Sequence, residues 1–154
     1  MLPDMPLHPL VVHAAVVLIP VTALAVLASL VLPRFRAWLG WGLPVLGVVS
    51  AVTAFITVQL GEQLAEETTT TPVLATHFTW GARTEVFTAL LGLMTIAWWG
   101  LTSPVVRARW GERTAVLDNR WLRLIVMVLS GVLALAAVVA VVLAGDSGAT
   151  SVWG

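Results

Sequence analysis

Four long apolar segments account for most of the chain. They cover approximately residues 10–32, 38–60, 75–101 and 124–145. A helix needs roughly 20 mostly apolar residues to cross the hydrocarbon core of a bilayer, and lipid requires its backbone groups to be hydrogen-bonded within the segment. The segments do not alternate between polar and apolar residues as the strands of a membrane barrel do. The pattern therefore predicts an all-α integral membrane four-helix bundle, with residues 1–154 forming a single domain.

Composition supports a membrane environment and excludes several kinds of chemistry. Of the 154 residues, 59% are hydrophobic and 10% are charged, whereas soluble domains average about 25% charged residues. The net charge is zero, so the chain lacks the basic surface of a nucleic-acid-binding protein. Because cysteine is absent, disulfides, thiolate catalysis, Cys-ligated iron–sulfur clusters and c-type haem attachment are excluded.

The arginines predict the orientation of the spans. Seven of the eight cations fall in the segments that join spans one and two or spans three and four, and Arg83 alone lies on the opposite side. By the positive-inside rule, segments 33–37 and 105–123 face the cytoplasm, while segment 61–75 and both termini face outward. Short connections favour antiparallel neighbours, so we predict an up-down-up-down bundle in the plasma membrane.

Two helix entrances on the predicted outer side carry histidines. Pro9 can begin a helix, with His8 before it and His13 about one turn inside. Thr71 can cap a second helix that begins at Pro72, with His77 five residues further on. The N-terminus has no basic segment of the kind found in a signal peptide, and the apolar run after it is too long for one, so we expect the first span to remain in the mature protein.

Small residues and one proline characterise the spans themselves. Small residues recur at helical spacing and predict close packing of helix backbones; they are Gly47, Ala51 and Ala54 in span two, Thr88, Gly92 and Thr95 in span three, and Ser130, Ala134, Ala137 and Ala144 in span four. Pro20 removes one backbone hydrogen bond within span one and predicts a kink there.

Acidic residues accompany the histidines on the outer side. Gln59, Glu62 and Glu66 share one face by their spacing, with Glu67 next to them. Glu85 follows His77 by two turns, near Arg83. The inner half of the spans contains no His, Asp or Glu. Since buried polar groups in a membrane are costly unless paired, this asymmetry predicts a functional site at the outer end.

Two kinds of cofactor suit this set of side chains. Imidazoles from two helices can bind haem b axially, which suggests His13 and His77 as ligands and Arg83 as a partner for a propionate. His8, His13, His77 and Glu62 can alternatively bind zinc, copper or non-haem iron. His8 and His13 point about 140° apart on a regular helix, so they do not form a clamp by themselves. Proton relay and simple interfacial polar roles remain alternatives.

The stretch LHPLVVHAAVVLIP resembles the opening of a family of small bacterial and archaeal membrane proteins, domain of unknown function 2231. His8, Pro9 and His13 match its His-Pro-x-x-x-His element, and His77 matches a later histidine near the third helix. Ala14 and Ala15 replace the usual Phe-Pro pair. Related domains occur joined to Rieske or cytochrome modules, so the resemblance implies a four-span fold and a redox-linked role.

Two functions follow as hypotheses. The first is a redox-linked membrane protein that binds haem b or a metal near its outer face, together with a redox membrane partner or further copies of itself. The second is a non-catalytic structural or accessory subunit of a membrane complex, which needs no cofactor. The spans lack the midplane polar segments typical of carriers, and the chain has no hydrolase or nucleotide-binding motif, so the sequence does not predict an enzyme.

Overall fold

The computed structural model describes the backbone of residues 7–66, 71–110 and 118–153, and the side chains of 10–63, 71–110 and 118–150. This part of the chain forms six helices and no strand. In chain order they are α1 (Leu7–Val31), α2 (Pro33–Leu39), α3 (Gly42–Glu66), α4 (Pro72–Thr102), α5 (Pro104–Trp110) and α6 (Arg120–Trp153).

Four of these helices, α1, α3, α4 and α6, are long and apolar enough to cross a membrane. Their outward surfaces are rich in large hydrophobic side chains such as Leu24, Phe55, Leu93 and Leu135. An environment of lipid accounts for this exposure, since water would leave it as an unusually large apolar surface. The prediction of an all-helical protein with four candidate spans is confirmed.

The start of the second span differs from the sequence prediction. Residues 33–37 were predicted to be a loop, but they belong to the short helix α2. The second long helix begins at Gly42 rather than at Trp38, because Gly40 adopts a φ of 51° and ends α2. Glycine enters this left-handed region without the steric cost that a side chain incurs.

The long helices otherwise extend beyond most of the predicted span limits. The helix α1 begins at Leu7, three residues before the predicted span, and α6 extends from Arg120 to Trp153, beyond the predicted 124–145. The predicted start of α4 at Pro72 is confirmed. The predicted connector 105–123 contains most of α5, and its residues 111–117 lie outside the described part.

The long helices pack in a ring, in which α1 and α4 each contact both α3 and α6. Small residues allow the closest approaches, as predicted. A methyl group added at Gly47 would overlap the side chain of Thr95, and one added at Gly92 would lie 3.1 Å from the carbonyl oxygen of Gly47. On α6, Ala134 and Ala137 are fully buried.

Buried hydroxyl groups in the bundle are mostly hydrogen-bonded. Thr22 Oγ1 and Ser50 Oγ lie 2.6 Å apart and join α1 to α3. Thr95 and Ser130 donate to backbone carbonyls of their own helices. Pro20 lies inside α1, which continues on both sides of it.

Candidate functional site

His77 occupies the first turns of α4, and local sequence fixes its position. Pro72 begins the helix, and Thr71 caps it by accepting a hydrogen bond from Leu74 N at 3.2 Å. Proline suits the first helical position because the N–H that it lacks has no partner there. His77 therefore lies about one and a half turns into α4, where its side chain is half-buried.

The imidazole of His77 is held by α6. Its Nδ1 lies 2.8 Å from the carbonyl oxygen of Ala144. A carbonyl accepts hydrogen bonds and cannot donate them, so Nδ1 carries the proton. In the neutral ring Nε2 then carries the lone pair. Histidines that bind metals are oriented in the same way, through a hydrogen bond from the second ring nitrogen to a carbonyl or carboxylate.

Gly148 provides the space for this ring. A methyl group added at Gly148 would lie 3.0 Å from both Cε1 and Nδ1 of His77. The imidazole thus packs directly against the backbone of α6, one turn after the carbonyl that it contacts. Sequence reasoning missed Ala144 and Gly148 as parts of the site, because neither residue carries a functional side chain.

His77 also lies on the face of α4 that points into the bundle. Thr84, Leu91 and Trp98 follow it at intervals of seven residues, and all three are buried. Seven residues are close to two helical turns, so these positions share one face. His77 is the first member of this row along α4. Its position on the inward face explains its contact with α6.

His13 lies elsewhere. Its side chain is exposed, whereas Ala15 and Ile19 are buried. At about 100° per residue, His13 is on the opposite side of α1 from these two residues. The structure therefore does not bring His13 into the bundle interior with His77. His8 lies within α1, seven residues before Ala15 and so in helical register with it; its side chain is outside the described residues.

Glu62 lies near the end of α3 and is exposed. Its Oε2 accepts a hydrogen bond from Gln59 Nε2 at 3.3 Å, as their spacing on one face predicts. One turn earlier on α3, Val58 Cγ2 would lie 4.0 Å from a methyl group added at Gly81. Val58 and Gly81 therefore mark a contact between α3 and α4. Glu62 lies one turn after Val58, and His77 lies one turn before Gly81.

The remaining predicted polar residues are dispersed. Arg83 is exposed, and its guanidinium carbon lies 4.5 Å from the centroid of the Trp80 ring, a cation–π contact. Glu85 is half-buried on α4. The side chain of Glu66 and the whole of Glu67 lie outside the described part of the chain.

The described side chains contain no group of three or more His, Asp or Glu residues placed to hold a metal ion. The imidazole of His77 is fixed by α6, and the carboxylate of Glu62 accepts a hydrogen bond within its own helix. A site with three or more ligands from this chain would have to include a side chain outside the described part, such as His8, Glu66 or Glu67. Haem needs fewer protein ligands, and a second molecule could supply others.

No protein-family model, curated protein or solved structure matches this chain. The resemblance to domain of unknown function 2231 therefore stays a prediction that depends on His8, Pro9, His13 and His77.

Proposed function

We propose that the chain is a multi-pass plasma-membrane protein with up-down-up-down topology and both termini outside. Contacts between α3 and α4 support antiparallel packing. Gly47, early in α3, lies against Thr95, late in α4. Val58, later in α3, lies near Gly81, earlier in α4. Contacts between α1 and α6 follow the same trend, with Leu30 near Gly131 and Val16 near Gly145.

Its function is to hold haem b or a transition metal ion (copper, zinc or iron) at the outer end in a redox-linked role, with His77 as a ligand. The observation that carries this proposal is the hydrogen bond from His77 Nδ1 to the carbonyl of Ala144. It leaves the lone pair of the neutral ring on Nε2, across the ring from that carbonyl, and this is the form in which imidazole binds metals. Further along the same face of α4 come buried Thr84 and then apolar Leu91. Neither side chain is a usual metal ligand, so the proposed site lies at the end of the helix that carries His77.

The other ligands are proposed from position and chemistry. His8 or His13 supplies a second imidazole, and Glu62 supplies a carboxylate for a metal ion. Arg83, exposed one and a half turns after His77, pairs with a haem propionate, an interaction favoured by its forked guanidinium. A redox membrane partner or a second copy of the chain completes the set where this chain alone is insufficient.

A second function, an accessory subunit without a cofactor, is favoured by a different observation. Close contacts such as Gly92 against Gly47 bring helix backbones together, as the packing of a structural membrane subunit requires. In this function His77 fastens α4 to α6, and its hydrogen bond has a purely structural role.

One purification distinguishes the two functions. The protein is expressed with haem precursor and trace metals supplied, purified in mild detergent, scanned for a Soret band and analysed for bound metals. We expect His77→Ala to lower cofactor content at least about tenfold, the lower range for losing a group that orients or forms a metal site. Thr76→Ala is the matched control, because Thr76 is exposed beside His77 and bonds only to Pro72 O.

His8→Ala and His13→Ala identify the second imidazole in the same assay. Wild-type protein that carries neither haem nor a stoichiometric metal would contradict the cofactor function. Equal cofactor content in wild-type protein and His77→Ala would contradict the role of His77. A wild-type protein without a cofactor leaves the accessory function, which predicts that His77→Ala lowers the yield of an assembled complex.

A further inference from the structure

A groove of about 460 Å³ lies between α1 and α6, apart from His77. Helix α1 contributes Val16 and Pro20, and α6 contributes Val141, Val142, Gly145 and Asp146. Its volume is within the range of small-molecule sites, roughly 300–1,000 Å³. We propose that this groove binds a membrane lipid with a primary ammonium head group, whose acyl chain lies along the apolar walls.

The first polar feature of the groove is a backbone carbonyl. Pro20 has no N–H, so the carbonyl of Val16 lacks the donor that the residue four positions later normally provides in a helix. Such a carbonyl is costly in an apolar environment unless another donor reaches it. Val16 and Pro20 both line the groove, so a donor inside the groove is well placed to serve this carbonyl.

The second polar feature is the carboxylate of Asp146. It is the first charged residue after the uncharged stretch from Leu124 to Gly145. The salt bridge that the described part of the chain contains, Arg107–Asp118, involves other residues. Asp146 thus presents negative charge to the groove, and it lies where the apolar run of α6 ends and head groups begin.

These two features select the occupant by its charge and its donors. Both the carbonyl and the carboxylate accept hydrogen bonds, so the head group must donate them, and a positive charge makes those bonds stronger. The other lining residues are apolar, and Val142 and Val16 are exposed on the outward side. An anionic head group would be repelled, and a quaternary ammonium group would bring charge without N–H donors.

Competition among three lipids tests the proposal. Delipidated protein in detergent receives phosphatidylethanolamine, phosphatidylcholine or phosphatidylglycerol with identical acyl chains, and native mass spectrometry measures the bound lipid. We expect phosphatidylethanolamine to bind about tenfold more tightly than either of the others, as one charge-assisted hydrogen bond allows. Asp146→Asn should abolish this preference, and Asp118→Asn, two residues before α6 begins, should retain it.

A second pair of variants tests the groove itself. Gly145→Leu should fill it and weaken binding of all three lipids, and it should fold, because a methyl group at Gly145 meets no atom within 4 Å. Gly100→Leu is the control, with equally open surroundings on α4. Equal binding of the three lipids to the wild-type protein, or unchanged binding to Gly145→Leu, would overturn the proposal. Dimers that Gly145→Leu dissociates would overturn it in favour of a second copy in the groove.

Discussion

His77 shows how a backbone can define the chemistry of a side chain. Ala144 supplies the carbonyl that fixes the proton on Nδ1, and Gly148 supplies the space in which the ring lies. Neither contribution depends on a polar side chain of α6. The orientation of the imidazole therefore depends on the packing of α4 against α6, and a small change in that packing should alter it.

We predict that Gly148→Ala releases the His77 ring from Ala144. The added methyl group would lie 3.0 Å from two ring atoms, so the imidazole has to move. Protein labelled with ¹⁵N-histidine contains only three imidazoles, and nitrogen shifts report which ring nitrogen carries the proton. We expect the Nδ1-protonated form of His77 to be lost in Gly148→Ala and kept in Gly145→Ala. Retention of that form in Gly148→Ala would show that the contact does not orient the ring.

The sequence identified His77 but did not distinguish it from His13. Both follow a proline in the first turn of a helix, Pro9 in α1 and Pro72 in α4, and both appeared equally suited to a site. Their difference lies in helical phase relative to the buried face, since His77 is in register with buried Thr84 and His13 is opposite buried Ala15. That phase is weak in the sequence, because a membrane helix is apolar on its lipid side as well as on its packed side.

At the scale of elements, the small residues were the most informative part of the sequence. The stripe of Gly47 and Ala51 on α3 meets Gly92 and Thr95 on α4, as their spacing predicted. The short helix α2 was missed, because seven residues with two arginines carry no span-length signal. The groove at Asp146 was missed as well, because it depends on how α1 and α6 are placed side by side.

We predict that Gly47→Ala destabilises the α3–α4 pair. The added methyl group overlaps Thr95, and overpacking of this kind typically costs about 1–3 kcal/mol. Gly81→Ala is the matched control on the same pair of helices, since its methyl group would lie at an ordinary 4.0 Å from Val58. Unfolding in mixed detergent–SDS micelles measures both variants. Equal stability of Gly47→Ala and wild-type protein would mean that the two helices separate easily at this point.

The hydrogen bond between Thr22 and Ser50 is predicted to contribute little to stability despite its burial. The two oxygen atoms are 2.6 Å apart, but such bonds between membrane helices average only about 0.6 kcal/mol, because the unfolded helices find other partners. A double-mutant cycle with Thr22→Val and Ser50→Ala should give a coupling free energy near this value. A coupling well above about 1.7 kcal/mol, the upper end for such pairs, would indicate a larger polar network.

At the scale of the whole molecule, the two ends of the bundle carry different kinds of polar side chain. At the end that carries α2 and α5, arginines contact tryptophan rings or acids, as in Arg36 over Trp98 and Arg107 with Asp118. Among the described side chains, His13, Glu62, His77 and Glu85 lie towards the other end. Arginine beside tryptophan suits the boundary between lipid and water, where aromatic rings are enriched. The proposed orientation places this arginine-rich end in the cytoplasm.

Accessibility labelling tests the orientation directly, since the natural chain has no cysteine. We predict that a membrane-impermeant maleimide labels Thr71→Cys in intact cells and labels Arg109→Cys only after the membrane is opened. Both residues are exposed, Thr71 just before α4 and Arg109 within α5, so burial does not explain a difference. Seven arginines on one side against one on the other make the expected orientation strongly favoured. The reverse labelling pattern would place His77 at the cytoplasmic face, and a cofactor held there would exchange electrons with cytoplasmic partners instead.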